Sequence, residues 1–175
     1  MLRLRPEEEQ DWWEVEALYD LTFAPGREAL SSYRLRDDVP ALARLCCVAH
    51  DVDGCLCGAI RVWPVRVGRH VALLVGPVAV HPTRQGEGIG AALIREVIVG
   101  ARDLGHDRLL LIGDEPYYGR FGFARLEGVT MPAPTNPDRV LGLGLKPAAW
   151  EGVLGDVTRH RSDATGARNS SAGAC

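Results

Sequence analysis

Lysine is almost missing from this chain: of its 20 basic residues among 175, only Lys146 is not an arginine. Guanidinium suits bidentate contact with phosphate or carboxylate, but the bias by itself reads as a compositional habit. The five cysteines, Cys46, Cys47, Cys55, Cys57 and Cys175, are odd in number and form no C-x-x-C pair. Neither a disulfide framework nor a zinc site is indicated. The five histidines show no H-E-x-x-H or similar spacing, so no metal is expected. No apolar run approaches the roughly 18 residues of a membrane span, and the opening MLRLRPEEEQDWW has neither the apolar centre nor the cleavage site of a secretory leader. A cytoplasmic protein without a membrane partner is expected. Positive charge is not in excess either: the net charge is −3, and such a field does not favour nucleic acid.

What remains is the composition of one ordinary domain, with 46% hydrophobic and 25% charged residues. A chain of this size can bury roughly 70% of its unfolded surface without staples. A single domain is expected over residues 1–158, with the apolar-poor stretch 159–175 as a disordered tail.

Pro6 with Glu7, Glu8 and Glu9 reads as a helix first turn, followed by Trp12, Val15, Leu18, Tyr19 and Thr22 at helical spacing. A second helical stretch is expected from Arg27 to Arg36. Trp12, Trp13 and Trp63 read as core or pocket aromatics, with core the preferred assignment. Three strands follow, Leu45 to His50, Cys55 to Val65 and His70 to Val80, as an antiparallel meander with turns at Asp53-Gly54 and Gly68. Proline cannot donate to a ladder, so Gly76-Pro77 should bulge or splay the third strand. Ile89, Ala92, Leu93, Val97, Ala101 and Leu104 then form a helical stripe that ends at Gly105. The apolar run Arg108 to Ile112 completes a βαβ unit. Two more strands, Ala124 to Val129 and Val140 to Leu145, flank the proline-rich loop Met131 to Arg139.

The most informative segment is Gln85-Gly86-Glu87-Gly88-Ile89-Gly90-Ala91. A strand ending in Val78-Ala79-Val80 enters a loop with glycines at alternate positions, and the loop opens into a helix whose first amides lack internal partners. Such a turn suits an anion, because glycine lets a diphosphate approach the backbone and the helix end carries partial positive charge. Gly86, Gly88 and Ala91 also satisfy G-x-G-x-x-A, the dinucleotide-binding fingerprint. The loop between Val80 and Gly86 is too long for that reading, and an antiparallel meander precedes it.

The spacing Gln85-x-x-Gly88-x-Gly90 resembles instead the R/Q-x-x-G-x-G/A motif of the GNAT superfamily of N-acetyltransferases. Tyr117-Tyr118-Gly119-Arg120-Phe121-Gly122-Phe123 is similar to the family's Y-x-x-x-G-F segment after its fifth strand. The resemblance implies a mixed α/β (α+β) sheet, an antiparallel meander followed by the βαβ unit, with the fourth and fifth strands splayed. It implies acetyl-CoA as co-substrate, its pyrophosphate held by Gln85, Gly86, Glu87, Gly88, Ile89, Gly90 and Ala91. The pantetheine arm would pair with Val78 and Val80, and the amide of Val78 or Ala79 would meet the thioester oxygen.

Tyr118 matches the family's general acid. Many members carry an acid on the fourth or fifth strand as general base, and Leu109 to Ile112 has none; His81, Asp114 and Glu115 are substitutes. Arg84 and Arg120 are candidate phosphate contacts. Acetyl transfer to a primary amine, on a small molecule or a peptide, by direct attack in a ternary complex is the activity implied, by a monomer or homodimer. A non-catalytic acyl-CoA-binding regulatory module is the alternative. The acceptor is expected between the two N-terminal helices and Met131 to Arg139.

Overall fold

The computed structural model describes residues 2–23, 27 and 31–160. Its centre is a mixed sheet built from β1 (Arg3–Pro6), β2 (Cys47–His50), β3 (Leu56–Val67), β4 (His70–Val80), β5 (Arg108–Ile112), β6 (Ala124–Arg125) and β8 (Val140–Gly144), in the order β1-β2-β3-β4-β5-β8-β6. The short strands β7 (Val129–Thr130) and β9 (Gly155–Arg159) pair with each other, and β9 also pairs with β3. The helices are α1 (Trp12–Phe23), α2 (Ile89–Asp103) and the single turn α3 (Glu115–Tyr118). No described helix is long and apolar enough to cross a membrane.

The meander β2-β3-β4 and the crossover β4-α2-β5 stand as the sequence suggested, with β4 and β5 parallel. The N-terminus differs. Pro6 closes the edge strand β1 opposite Cys47, where a missing N–H costs nothing, and does not start a helix. The helix begins later: Asp11 accepts from the Glu8 amide at 2.8 Å and is held bidentately by Arg5 at 2.6 and 2.7 Å. Of the stretch Arg27 to Arg36, residues 28–30 lie outside the described residues, and the rest shows only a tight turn at Tyr33–Leu35. Trp12 and Trp13 are 47% and 76% exposed, so neither is a core residue. Their places are taken by Val15, Leu18 and Tyr19, the apolar side of α1. The span Ala124 to Val129 is two separate short strands, broken by Gly128 at a φ of 71°. β9 runs one residue past the expected boundary at 158; residues 161–175 lie outside the described residues.

The two long helices cover opposite faces of the meander. Val15, Leu18 and Tyr19 of α1 pack on Val48, Ala59 and Ala79. Ile89, Leu93, Ile94 and Val97 of α2 pack on Ala49, Cys57 and Ile60. Gly58 sets the depth at which α2 sits: a Cβ there would stand 2.8 Å from Ile89 and 3.1 Å from Leu93.

Candidate functional site

The site grows from one irregularity in β4. Ile60 faces Val78, yet Val62 faces Val75, so β4 spends one residue more than β3 over the same stretch. The extra length is Gly76-Pro77, with Gly76 at a φ of 126°, where a side chain would be strained. A bulge reverses the alternation of a strand. Leu73 and Val75 face the α2 side before it; Val78 and Val80 face that side after it, and Ala79 turns to α1. The buried hydroxyl of Tyr19 donates to the carbonyl of Pro77 at 3.2 Å and ties α1 to the bulge.

The same bulge ends the pairing with β5. Only Leu73 with Leu109 and Leu74 with Leu110 are in register, and beyond them the two strands part. The phase of β3-β4 pairing then decides which main-chain groups face the gap. His81 donates to Cys57 at 2.8 Å, so in an antiparallel ladder Ala79 bonds β3. The N–H and C=O of Val78 and Val80 therefore turn away from β3, toward the gap. Of the two amides left open by the sequence, it is Val78's that faces the space.

At one end of the gap lies the glycine turn. Gly86 and Gly88 have φ of 88° and 81°, and Gly88 caps α2 without any side-chain hydrogen bond. Ala92 is the first residue to bond back, to Gly88 at 3.0 Å. The amides of Ile89, Gly90 and Ala91 have no carbonyl to reach within the helix. Gln85, Gly86, Glu87 and Gly88 are exposed, whereas Ile89 is buried and anchors the turn against Gly58. Arg84 is committed elsewhere, to Glu87 at 2.7 and 2.9 Å and to Asp51 at 3.0 Å. Arg120 lies over the ring of Tyr117, 4.1 Å from its centroid, and no described acid pairs with it. Tyr117's hydroxyl is 3.4 Å from where a Cβ on Gly90 would be, so this ring closes the turn's far side.

At the other end is Tyr118. Its ring sits against Gly113, where an added Cβ would clash with the ring, and it packs edge-on against Tyr117 and Phe123. Burial raises its phenol above the ordinary value, and Tyr117 and Asp114 add to this while Arg139 opposes it. The hydroxyl makes no hydrogen bond among the described residues. Tyr118 borders a cleft of about 410 Å³ floored by Leu74 to Val78 and Ile112. Phe23, Ser31, Ser32, Tyr33 and Arg36 wall one side and Pro134, Thr135, Asn136 and Arg139 the other, on the elements expected to flank the acceptor. Ser31 and Thr135 join the walls by a hydrogen bond of 2.6 Å.

None of the substitutes for a general base belongs to the cleft lining, and each is engaged with another group. His81 bonds Thr83 at 2.8 Å, Asp114 pairs with Arg139 at 3.1 Å, and Glu115 accepts from the Arg125 amide at 3.3 Å. No Asp or Glu lines the cleft among the described residues. No group of three or more His, Cys, Asp or Glu gathers among them to hold a metal. Sequence reasoning missed Tyr19 as the strut of the bulge and Gly113 as the seat of Tyr118.

The site thus consists of a parted parallel strand pair with a glycine-capped helix at one end and a phenol at the other. The profile of the acetyltransferase (GNAT) family matches residues 12–123, and the chain belongs to that family. Escherichia coli K12 YhbS, described as an uncharacterized N-acetyltransferase, is 31% identical over 111 residues, which are 62% of this chain and 65% of YhbS. The match thus spans just under two thirds of that relative. The crystal structure of E. coli YhbS with CoA superposes with a TM-score of 0.79 at 26% identity, covering 91% of this chain and 89% of that one. A GNAT family acetyltransferase from Brucella melitensis, solved with acetyl-CoA, gives 0.69 at 31% identity, covering 91% and 96%.

Proposed function

We propose that the protein is an N-acetyltransferase that uses acetyl-CoA to acetylate a primary amine by direct attack within a ternary complex. The observation that carries this is the gap between β4 and β5, where the main chain of Val78 and Val80 faces an unfilled strand position. The two structural relatives described above hold CoA and acetyl-CoA respectively, and the residues here fit that ligand. Val78 and Val80 pair with the amides of the arm, while Gln85 to Ala91 receive the pyrophosphate through main-chain N–H groups. Acetyl-CoA supplies the thioester; the chain supplies position and hydrogen bonds.

Val78's N–H donates to the thioester oxygen and stabilises the negative charge that grows there as the amine attacks. Tyr118 donates to the leaving sulfur. A phenol raised by burial stays protonated at neutral pH, but full transfer to a thiolate of pKa about 8.5 is uphill, so stabilisation by the hydrogen bond dominates. The amine loses its proton to water, because the cleft lining holds no described carboxylate.

The test has two stages. Acetyl-CoA, and not NAD, should raise the Tm by mass action, about 2.7 kcal/mol of stabilisation at a hundred times Kd. Release of free thiol from acetyl-CoA should then require an amine. No Tm shift at millimolar acetyl-CoA refutes the proposal. A shift with no thiol release across a broad amine panel favours the regulatory module, the reading supported by the missing strand acid.

A further inference from the structure

The wall of the cleft beside Tyr118 carries a cation with no acid partner among the described residues. Arg36 lies between the rings of Tyr33 and Trp63, at 4.1 and 4.6 Å from their centroids. Both rings are fixed from behind: Arg27 donates to the Tyr33 hydroxyl at 2.9 Å, and Trp63 donates to the Val39 carbonyl at 3.2 Å. Nε and Nη1 of Arg36 are enclosed and have no hydrogen-bond partner. Ring faces attract a guanidinium but do not fill its in-plane N–H groups, and arginine cannot shed its proton to escape.

The other arginines nearby are all matched. Arg61 holds Glu7 at 2.6 Å and Glu16 at 2.5 Å; Arg27 holds Glu16 and, at 2.7 Å, Asp20. Arg139, the second cation on the cleft wall, has Asp114. Asp38, close to Arg36 in sequence, sits 3.9 Å from Arg159. Arg36 alone in this group borders the cleft without an acid partner among the described residues. A buried unpaired charge is costly, and the usual resolution is an oxyanion that completes its hydrogen bonds.

We propose that Arg36 is a specificity residue, and that the acceptor carries an oxyanion, a carboxylate or a phosphate, beside the amine that is acetylated. This rests on the acetyltransferase reading of the cleft. It sets against polyamines and other polycationic acceptors, which would bring like charge to Arg36 and Arg139 and find no described acid on the walls.

Calorimetric titration of the CoA-loaded full chain decides it, with ω-amino acids of increasing length, their neutral carboxamides and the matching aminoalkylphosphonates. An anionic member should bind about tenfold to a hundredfold tighter than its carboxamide twin, the range of charge-assisted hydrogen bonds. Whether carboxylate or phosphonate leads names the group. Arg36→Gln should bring the ratio close to one, and Arg36→Lys should keep part of it. Carboxamides that bind as tightly as their acids in the wild-type protein, or no binding by any anion of the series, overturn the proposal without recourse to a variant. A preference that survives in folded Arg36→Gln also overturns it. Failure of the donor reading is separate and is seen first, as no Tm shift with CoA before any acceptor is added.

Discussion

The two walls of the gap are built from different materials. The β4 wall is main chain: Val78 and Val80 present N–H and C=O groups, their direction set by the bulge and the register with β3. The β5 wall is rings: beyond Ile112 the chain turns at Gly113 and stacks Tyr117, Tyr118, Phe121 and Phe123 on one another. A main-chain wall depends on whatever fixes the strand and little on the side chains it carries. A wall of rings depends on each ring's seat. Damage to the second should therefore appear in turnover, and damage to the first in stability and donor binding.

The strongest test of that contrast is Tyr118→Phe. It should lower kcat by roughly 10² to 10⁴ and leave the acetyl-CoA Tm shift in place. Unchanged turnover removes the hydroxyl from the chemistry. The pH profile belongs to the same test. Because burial raises Tyr118 above the usual phenol value, the protonated donor persists, and a falling limb should begin only above about pH 10. The rising limb should follow the acceptor amine's own pKa, since no described acid lines the cleft. A rising limb that stays put when the acceptor is exchanged for one of different pKa would reveal a base on the protein.

Gly113→Ala comes next. Its Cβ would clash with the Tyr118 ring and push it against Tyr117 and Phe123. Such a displacement should cost kcat about tenfold to a hundredfold with little change in Tm. A large Tm loss with normal kcat would show that the ring's position matters for packing alone.

On the β4 side, Gly58→Ala should destabilise by about 1–3 kcal/mol in chemical denaturation, because Ile89 and the Ala79 carbonyl leave no room. It should also weaken acetyl-CoA, since Ile89 seats the glycine turn. Full stability in this variant would mean that α2 can shift freely. Smallest is Tyr19→Phe, which removes one hydrogen bond to Pro77 and should cost about 0.5–1.5 kcal/mol. A Tm within error of the wild type would mean that the bulge is held without this strut.

The glycine turn, the meander and the βαβ crossover were legible because each depends on local pattern: alternate glycines before a helical stripe, turn residues between apolar runs. The bulge was legible too, since a proline inside a strand has few other outcomes. The choice between the amides of Val78 and Ala79 was not, because it depends on the phase of pairing with β3, a relation between residues twenty positions apart. β1 was lost to Pro6 and three glutamates, which serve an edge strand and a capped turn as well as a helix start. Arg36 could not stand out among 19 arginines of one chemical type; what distinguishes it is the acid it lacks, and charge neutralisation is settled only by folding.

An exposed strand edge ordinarily invites other chains to pair with it, and proteins protect such edges with charge, proline or a covering loop. Here the unpaired stretch of β4 is not at the rim of the sheet. It lies in its interior, with β3 on one side and the diverging β5 on the other, and the opening narrows to the paired residues Leu74 and Leu110. An unpaired strand stretch is thereby kept inside the sheet, away from the rim where strand edges recruit other chains.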